Sequence, residues 1–95
     1  MLIRWKPAAF NDLKTICRHI ERQRNLATAN RVCRIIYDAI QILCRFPESG
    51  KSGIEEGTRE FVVPKLPSYI VAYRVTHSEA VQILRVWHGA QHRHE

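Results

Sequence analysis

Four side chains in the C-terminal half of this chain could handle a phosphate: Arg59, Arg74, Arg85 and His88. A guanidinium stays charged at physiological pH and can grip phosphate or carboxylate through two hydrogen bonds. An imidazole titrates near neutrality and can give or take a proton. Arg74 and His88 form the pair of interest, because on one open sheet face they would combine phosphate binding with proton transfer. The competing reading is a solvated arginine and a histidine at a strand end. None of these spacings is specific alone.

Other reactive residues point to blander roles. Glu48, Glu55 and Glu56 could do acid–base work, but they fall in a Gly- and Ser-rich stretch and read as solvated loop charges. His92-x-His94 has two imidazoles with no Cys or Asp beside them, so no metal is expected. Cys17, Cys33 and Cys44 lack C-x-x-C spacing and lie in helical segments. They read as buried free thiols. No Gly-rich phosphate loop, G-x-S-x-G or paired-carboxylate motif is present, and no cofactor is expected.

The 95 residues suit a single domain, 1–95, with one modest core. The formal charge of +6, carried mostly by arginine, predicts an acidic partner: nucleic acid, a ribosome or an acidic polypeptide. A basic protein with no nucleic-acid role fits the charge as well. No run of apolar residues is long enough to cross a bilayer, so no membrane partner is expected. Met1 to Lys6 is too short and too charged for a signal peptide, which makes the cytoplasm the expected location.

Positioning these side chains falls to a short list of elements. Leu2 to Lys6 reads as a strand, ended by Pro7, which suits the first turn of a helix. Lys6 before it is a poor cap. Phe10, Leu13, Ile16, Cys17 and Ile20 make one stripe of a helix from about Ala8 to Arg24. Asn25 breaks the chain and caps a second helix, from about Leu26 to Arg45, with a wider apolar face. The short join predicts an antiparallel hairpin with a basic outer surface. Phe46-Pro47 stops the second helix, and Pro47 to Gly57 reads as a mobile loop. Thr58 to Val63, Tyr69 to Thr76 and Ala80 to His88 are strands, and His77-Ser78-Glu79 is a tight turn. The tail from Gly89 to Glu95 is expected to fray.

The fold class is α+β: an N-terminal strand, a helical hairpin and a three-stranded antiparallel sheet, in the order β-α-α-β-β-β. The helices should cover one face of the sheet and leave the other partly open. A three-residue turn would set Thr76 opposite Ala80, Ala72 opposite Leu84 and Ile70 opposite Val86. Strict alternation then puts Tyr69, Val71, Tyr73, Val75, Val81, Ile83, Arg85 and Trp87 against the helices. Arg74, Gln82 and His88 fall on the open face. Arg85 among apolar neighbours requires either that it emerges at the sheet edge or that the faces are inverted.

These runs carry a resemblance. GTREFVV, YIVAYRV and ILRVWHGAQ, with the strand-then-Pro7 start and the FPESGKSG loop, resemble the RelE/ParE superfamily of type II toxin–antitoxin toxins. The likeness covers nearly the whole chain and implies the same fold. It also implies a cognate antitoxin, a small protein whose acidic or amphipathic segment wraps the toxin in a hetero-oligomer. RelE-like members cleave mRNA in the ribosome with Arg, Lys, His or Tyr residues in place of a metal; ParE-like members are associated with poisoning DNA gyrase. Carried onto this chain, His88 matches a catalytic histidine of YoeB-like nucleases. Ile70 and Gly89 stand where those enzymes carry Arg and Tyr, and an apolar residue cannot stabilise a developing phosphorane charge. The resemblance therefore implies a ParE-like toxin acting on gyrase. The alternative is a ribosome-dependent endoribonuclease using Arg59, Arg74 and Arg85 on phosphate and His88 as acid or base. A plain basic nucleic-acid-binding domain is a third reading.

Overall fold

A computed structural model describes residues 1–77 and 79–89. The elements are β1 (Leu2–Trp5), α1 (Pro7–Gln23), α2 (Leu26–Ile42), β2 (Lys51–Ser52), β3 (Arg59–Val62), β4 (Tyr69–Val75) and β5 (Ala80–His88). The expected α+β order holds. The tail beyond Gly89, with His92 and His94, lies outside the described residues.

Local signals account for both helix starts. Pro7 opens α1, and Lys6 gives no side-chain cap. Asn25 caps α2 by accepting the Thr28 N–H at 2.8 Å. The second helix ends at Ile42, short of the expected Arg45. There the N–H groups of Leu43, Cys44 and Arg45 turn to carbonyls three residues back, which tightens the last turn.

The sheet runs β1-β5-β4-β3-β2. β3, β4 and β5 are antiparallel, as expected, but β1 lies parallel to β5, from Leu2 opposite Ala80 to Trp5 opposite Ile83. A parallel neighbour needs a long crossover, and everything between β1 and β5 supplies it. The fifth strand comes from the stretch expected to be a mobile loop. Lys51 and Ser52 pair with Glu60 and Arg59.

The core lies between the hairpin and one sheet face. Ile36, Ile40 and Leu43 meet Val63, Val71, Tyr73, Val81, Ile83 and Val86, all essentially inaccessible to solvent. Burying each such aliphatic side chain favours folding by roughly 1.5–3 kcal/mol. The two helices contribute unequally. In α2, Ala29, Ile36, Ala39 and Ile40 are buried; in α1, only Ala9 is.

The cysteines differ from expectation. Cys17 and Cys33 form a disulfide across the hairpin, with their Cα atoms 6.3 Å apart, and Cys44 alone is free. Cys17 precedes Asn25 by as many residues as Cys33 follows it. An antiparallel hairpin hinged at Asn25 therefore brings the two side by side.

Candidate functional site

The positions of Arg85 and His88 turn on one irregularity. Val75 pairs with Val81, Arg74 with Gln82 and Tyr73 with Ile83, as a three-residue turn requires. Glu79 makes that turn with φ at 61°. The register then slips: Ala72 pairs with Arg85, Val71 with Val86, Ile70 with Trp87 and Tyr69 with His88. Leu84 is the extra residue of a β-bulge. Alternation restarts beyond it one residue out of phase.

The bulge overturns the expected placements of Val86, Trp87 and His88 and decides that of Arg85 in favour of the sheet edge. Val86 is buried on the helix side rather than on the open face. Arg85 leaves the core face and is exposed, as does the half-buried Trp87. His88 joins Val86 on the helix side and not Arg74 on the open face. The physical reason is the charge. Unbroken alternation would bury a guanidinium and expose a valine, and an isolated buried charge costs several kcal/mol.

Once freed, Arg85 is held at the sheet margin. Asp12 of α1 accepts from its Nε at 2.7 Å and from its Nη2 at 2.9 Å. The same carboxylate accepts the Val86 backbone N–H at 2.9 Å. β1 ends before this part of β5, so Asp12 satisfies an edge amide that no strand covers. The hydrogen bond from Arg85 to Asp12 pushes the arginine's pKa above its ordinary value.

Arg59 serves the opposite end of β4. It shares the helix-side face with Tyr73, and its Nη1 donates to the Gly50 carbonyl at 2.7 Å. The Tyr73 hydroxyl donates to the Pro47 carbonyl at 2.7 Å and accepts the Gly50 N–H at 2.8 Å. These contacts clasp the start of the 47–57 stretch to β4 and β3. Gly50 is required there, since a Cβ would lie 2.8 Å from the Tyr73 ring and hydroxyl. Burial raises the Tyr73 pKa, partly offset by the Gly50 N–H and the Arg59 charge. The phenol stays protonated at neutral pH and can donate.

His88 lines a groove instead of an open face. Its ring meets Tyr69 edge-on, with centroids 5.0 Å apart. Thr15, Ile16 and His19 of α1 form the other wall of a cavity of about 380 Å³. Burial raises the Tyr69 pKa and keeps its hydroxyl as a donor. Two imidazoles, a phenol and a threonine hydroxyl around an apolar floor could bind a polar group, and no carboxylate lines the groove.

The four residues singled out in the sequence are therefore not gathered. Arg74 stands on the open face beside Gln82. Arg85 is tied to Asp12, Arg59 to loop carbonyls, and His88 faces α1. Arg59 and His88 lie opposite Tyr73 and Tyr69, four residues and about 13 Å apart along β4. Sequence reasoning missed Asp12, His19 and the Tyr73 hydroxyl. A carboxylate next to Leu13 on the apolar stripe, and a tyrosine at an inward position needing a hydroxyl partner, were the available signals. Glu48, Glu55 and Glu56 are exposed. Among the described residues no group of three or more His, Cys, Asp or Glu could hold a metal ion. No helix among them is long and apolar enough to cross a membrane.

Residues 3–93 match the family model described as the ParE toxin of the type II toxin–antitoxin system parDE. The chain belongs to the ParE toxin family. A relative from Sinorhizobium fredii (strain NBRC 101917 / NGR234), named "Putative toxin Y4kP", is 39% identical over 89 residues, covering 94% of this chain and 88% of the relative. Among solved structures, the chromosomal ParDE toxin–antitoxin system from P. aeruginosa superposes with a TM-score of 0.83, covering 93% of this chain and 95% of that one. At 21% identity this likeness speaks to the fold alone. The RelBE2 toxin–antitoxin complex from Mycobacterium tuberculosis is 27% identical, with a TM-score of 0.60 and coverage of 92% and 95%. This ParE-family chain is thus a type II toxin of the RelE/ParE superfamily.

Proposed function

We propose that this toxin, acting as one domain in the cytoplasm, arrests growth by poisoning DNA gyrase and is silenced by a cognate antitoxin in a hetero-oligomer. One observation carries the choice of target. The bulge at Leu84 sets His88 and Arg74 on opposite faces of the sheet, so the two do not meet on one phosphate. A metal-free ribonuclease needs its cation and its proton donor on the same scissile phosphate. Ile70, on the face that carries Arg74, adds no charge there. The net charge of +6 favours an acidic antitoxin segment, seated on the open face or in the groove beside the hairpin.

Induction of the toxin in growing cells tests the target. DNA breaks and an SOS response with intact mRNA are expected. Rapid codon-phased mRNA cleavage that His88→Ala abolishes would overturn the proposal. That outcome would establish the second reading, a ribosome-dependent endoribonuclease. The likeness to the RelBE2 complex favours this second reading. In it His88 serves as acid or base, and Arg59, Arg74 and Arg85 contact phosphate.

A further inference from the structure

We propose that Cys17 and Cys33 form a thiol–disulfide modification site whose oxidation state sets the order of the C-terminal half of α1. This goes beyond the toxin assignment and does not depend on the target.

Little besides α2 holds that segment. Ala9 is the one buried residue of α1, and Leu13 and Ile16 are the residues of α1 partly buried against the core. Past Ile16, nothing in α1 packs on the core cluster. Asp12 fastens the first half of the helix to β5. Among the described residues, no hydrogen bond or ion pair joins α1 to α2. Apart from its packing on α2, where Ile20 is half-buried, the second half of α1 is tied to the fold by the Cys17–Cys33 bond and by the turn at Asn25. A helix of this length has marginal stability by itself in water, so its order depends on such ties.

The site is accessible to exchange. Both cysteines are half-buried, not sealed in the core. The reactant is a low-molecular-weight disulfide such as glutathione disulfide. One cysteine thiolate attacks it, forming a mixed disulfide and releasing one thiolate. The second cysteine then displaces the other. Two cysteine thiols are oxidised and one glutathione disulfide is reduced to two glutathione molecules; excess thiol reverses both steps. His19 lies two residues beyond Cys17, and Thr15 and Ile16 precede it. His19, on the helical wall of the His88 groove, thus falls in the segment that reduction loosens, while Ile16 stays packed on the core.

The test uses the full chain with Cys44→Ser, which removes the remaining free thiol. Differential alkylation in glutathione buffers reports the bond, while thermal melting and amide hydrogen exchange report its consequence. Excess glutathione disulfide should protect Cys17 and Cys33 from alkylation. Opening the bond with a phosphine should lower Tm by more than about 5 °C. It should also speed exchange over residues 17–23 at least tenfold while the amides of Ile36, Ile40 and Val71 stay protected. Cys17→Ser/Cys33→Ser should match the reduced protein and ignore the phosphine. If that variant does not fold, the oxidised and reduced Cys44→Ser protein carry the comparison alone. Free alkylation of both cysteines under excess glutathione disulfide would overturn the proposal, as would an opened bond that changes neither Tm nor exchange over 17–23.

Discussion

Near its turn, the β4–β5 hairpin is a regular ladder in which Arg74 and Gln82 face away from the helices. Past Leu84 the same two strands carry a shifted register, with an aspartate from α1 bonded to the outer edge and His88 turned under the helix. The turn end is governed by neighbours in sequence, because a three-residue loop dictates which residues oppose each other. The far end is governed by groups remote in sequence. There β1 has ended, α1 comes over the margin, and the cost of a buried charge selects which side chains face inward. The candidate site residues sit at both ends, and the bulge between them keeps them from converging.

Substitutions that invert the far end should have the largest effect. Val86→Asp returns a charge to the buried position the bulge protects, and should cost about 4 kcal/mol or more in denaturant unfolding. A stable, folded Val86→Asp protein would mean that the far half of β5 does not face the core as described. Asp12→Ala should cost less, about 1–3 kcal/mol, because it leaves the Val86 N–H without its acceptor. Most of that loss should persist in an Arg85→Ala background, since the Arg85 side chain is 59% exposed and its ion pair contributes little. If Arg85→Ala erases the loss, the ion pair and not the edge amide is what Asp12 supplies. Arg74→Ala at the turn end should change stability by no more than about 0.5 kcal/mol. A larger loss would show that the open face is under structural constraint as well.

The same contrast separates the helices. α2 carries a wide apolar face and buries four residues, so its position follows from its own pattern. α1 buries one and half-buries Leu13 and Ile16, and is fastened further by Asp12 and by the disulfide. The Cys17–Cys33 pair was legible in principle, since both lie equally far from the Asn25 hinge. An odd cysteine count without C-x-x-C spacing, in a chain expected in a reducing cytoplasm, points instead to free thiols, because the symmetry about Asn25 matters only once the helices fold back on each other.

Periodicity and punctuation in the sequence determined the elements, their order and the turn-end register, because each depends on residues close along the chain. The stripe of α2, the Asn25 cap and the alternation of Tyr69 to Thr76 are of this kind. Tertiary structure alone decided that β1 runs parallel to β5, that Tyr73 and Arg59 clasp the 47–50 loop, and that His88 lies under α1. Each of those depends on contacts between distant segments. The decisive one, the extra residue at Leu84, leaves no local mark in an alternating strand, and it emerges only when burying Arg85 is weighed against burying Val86.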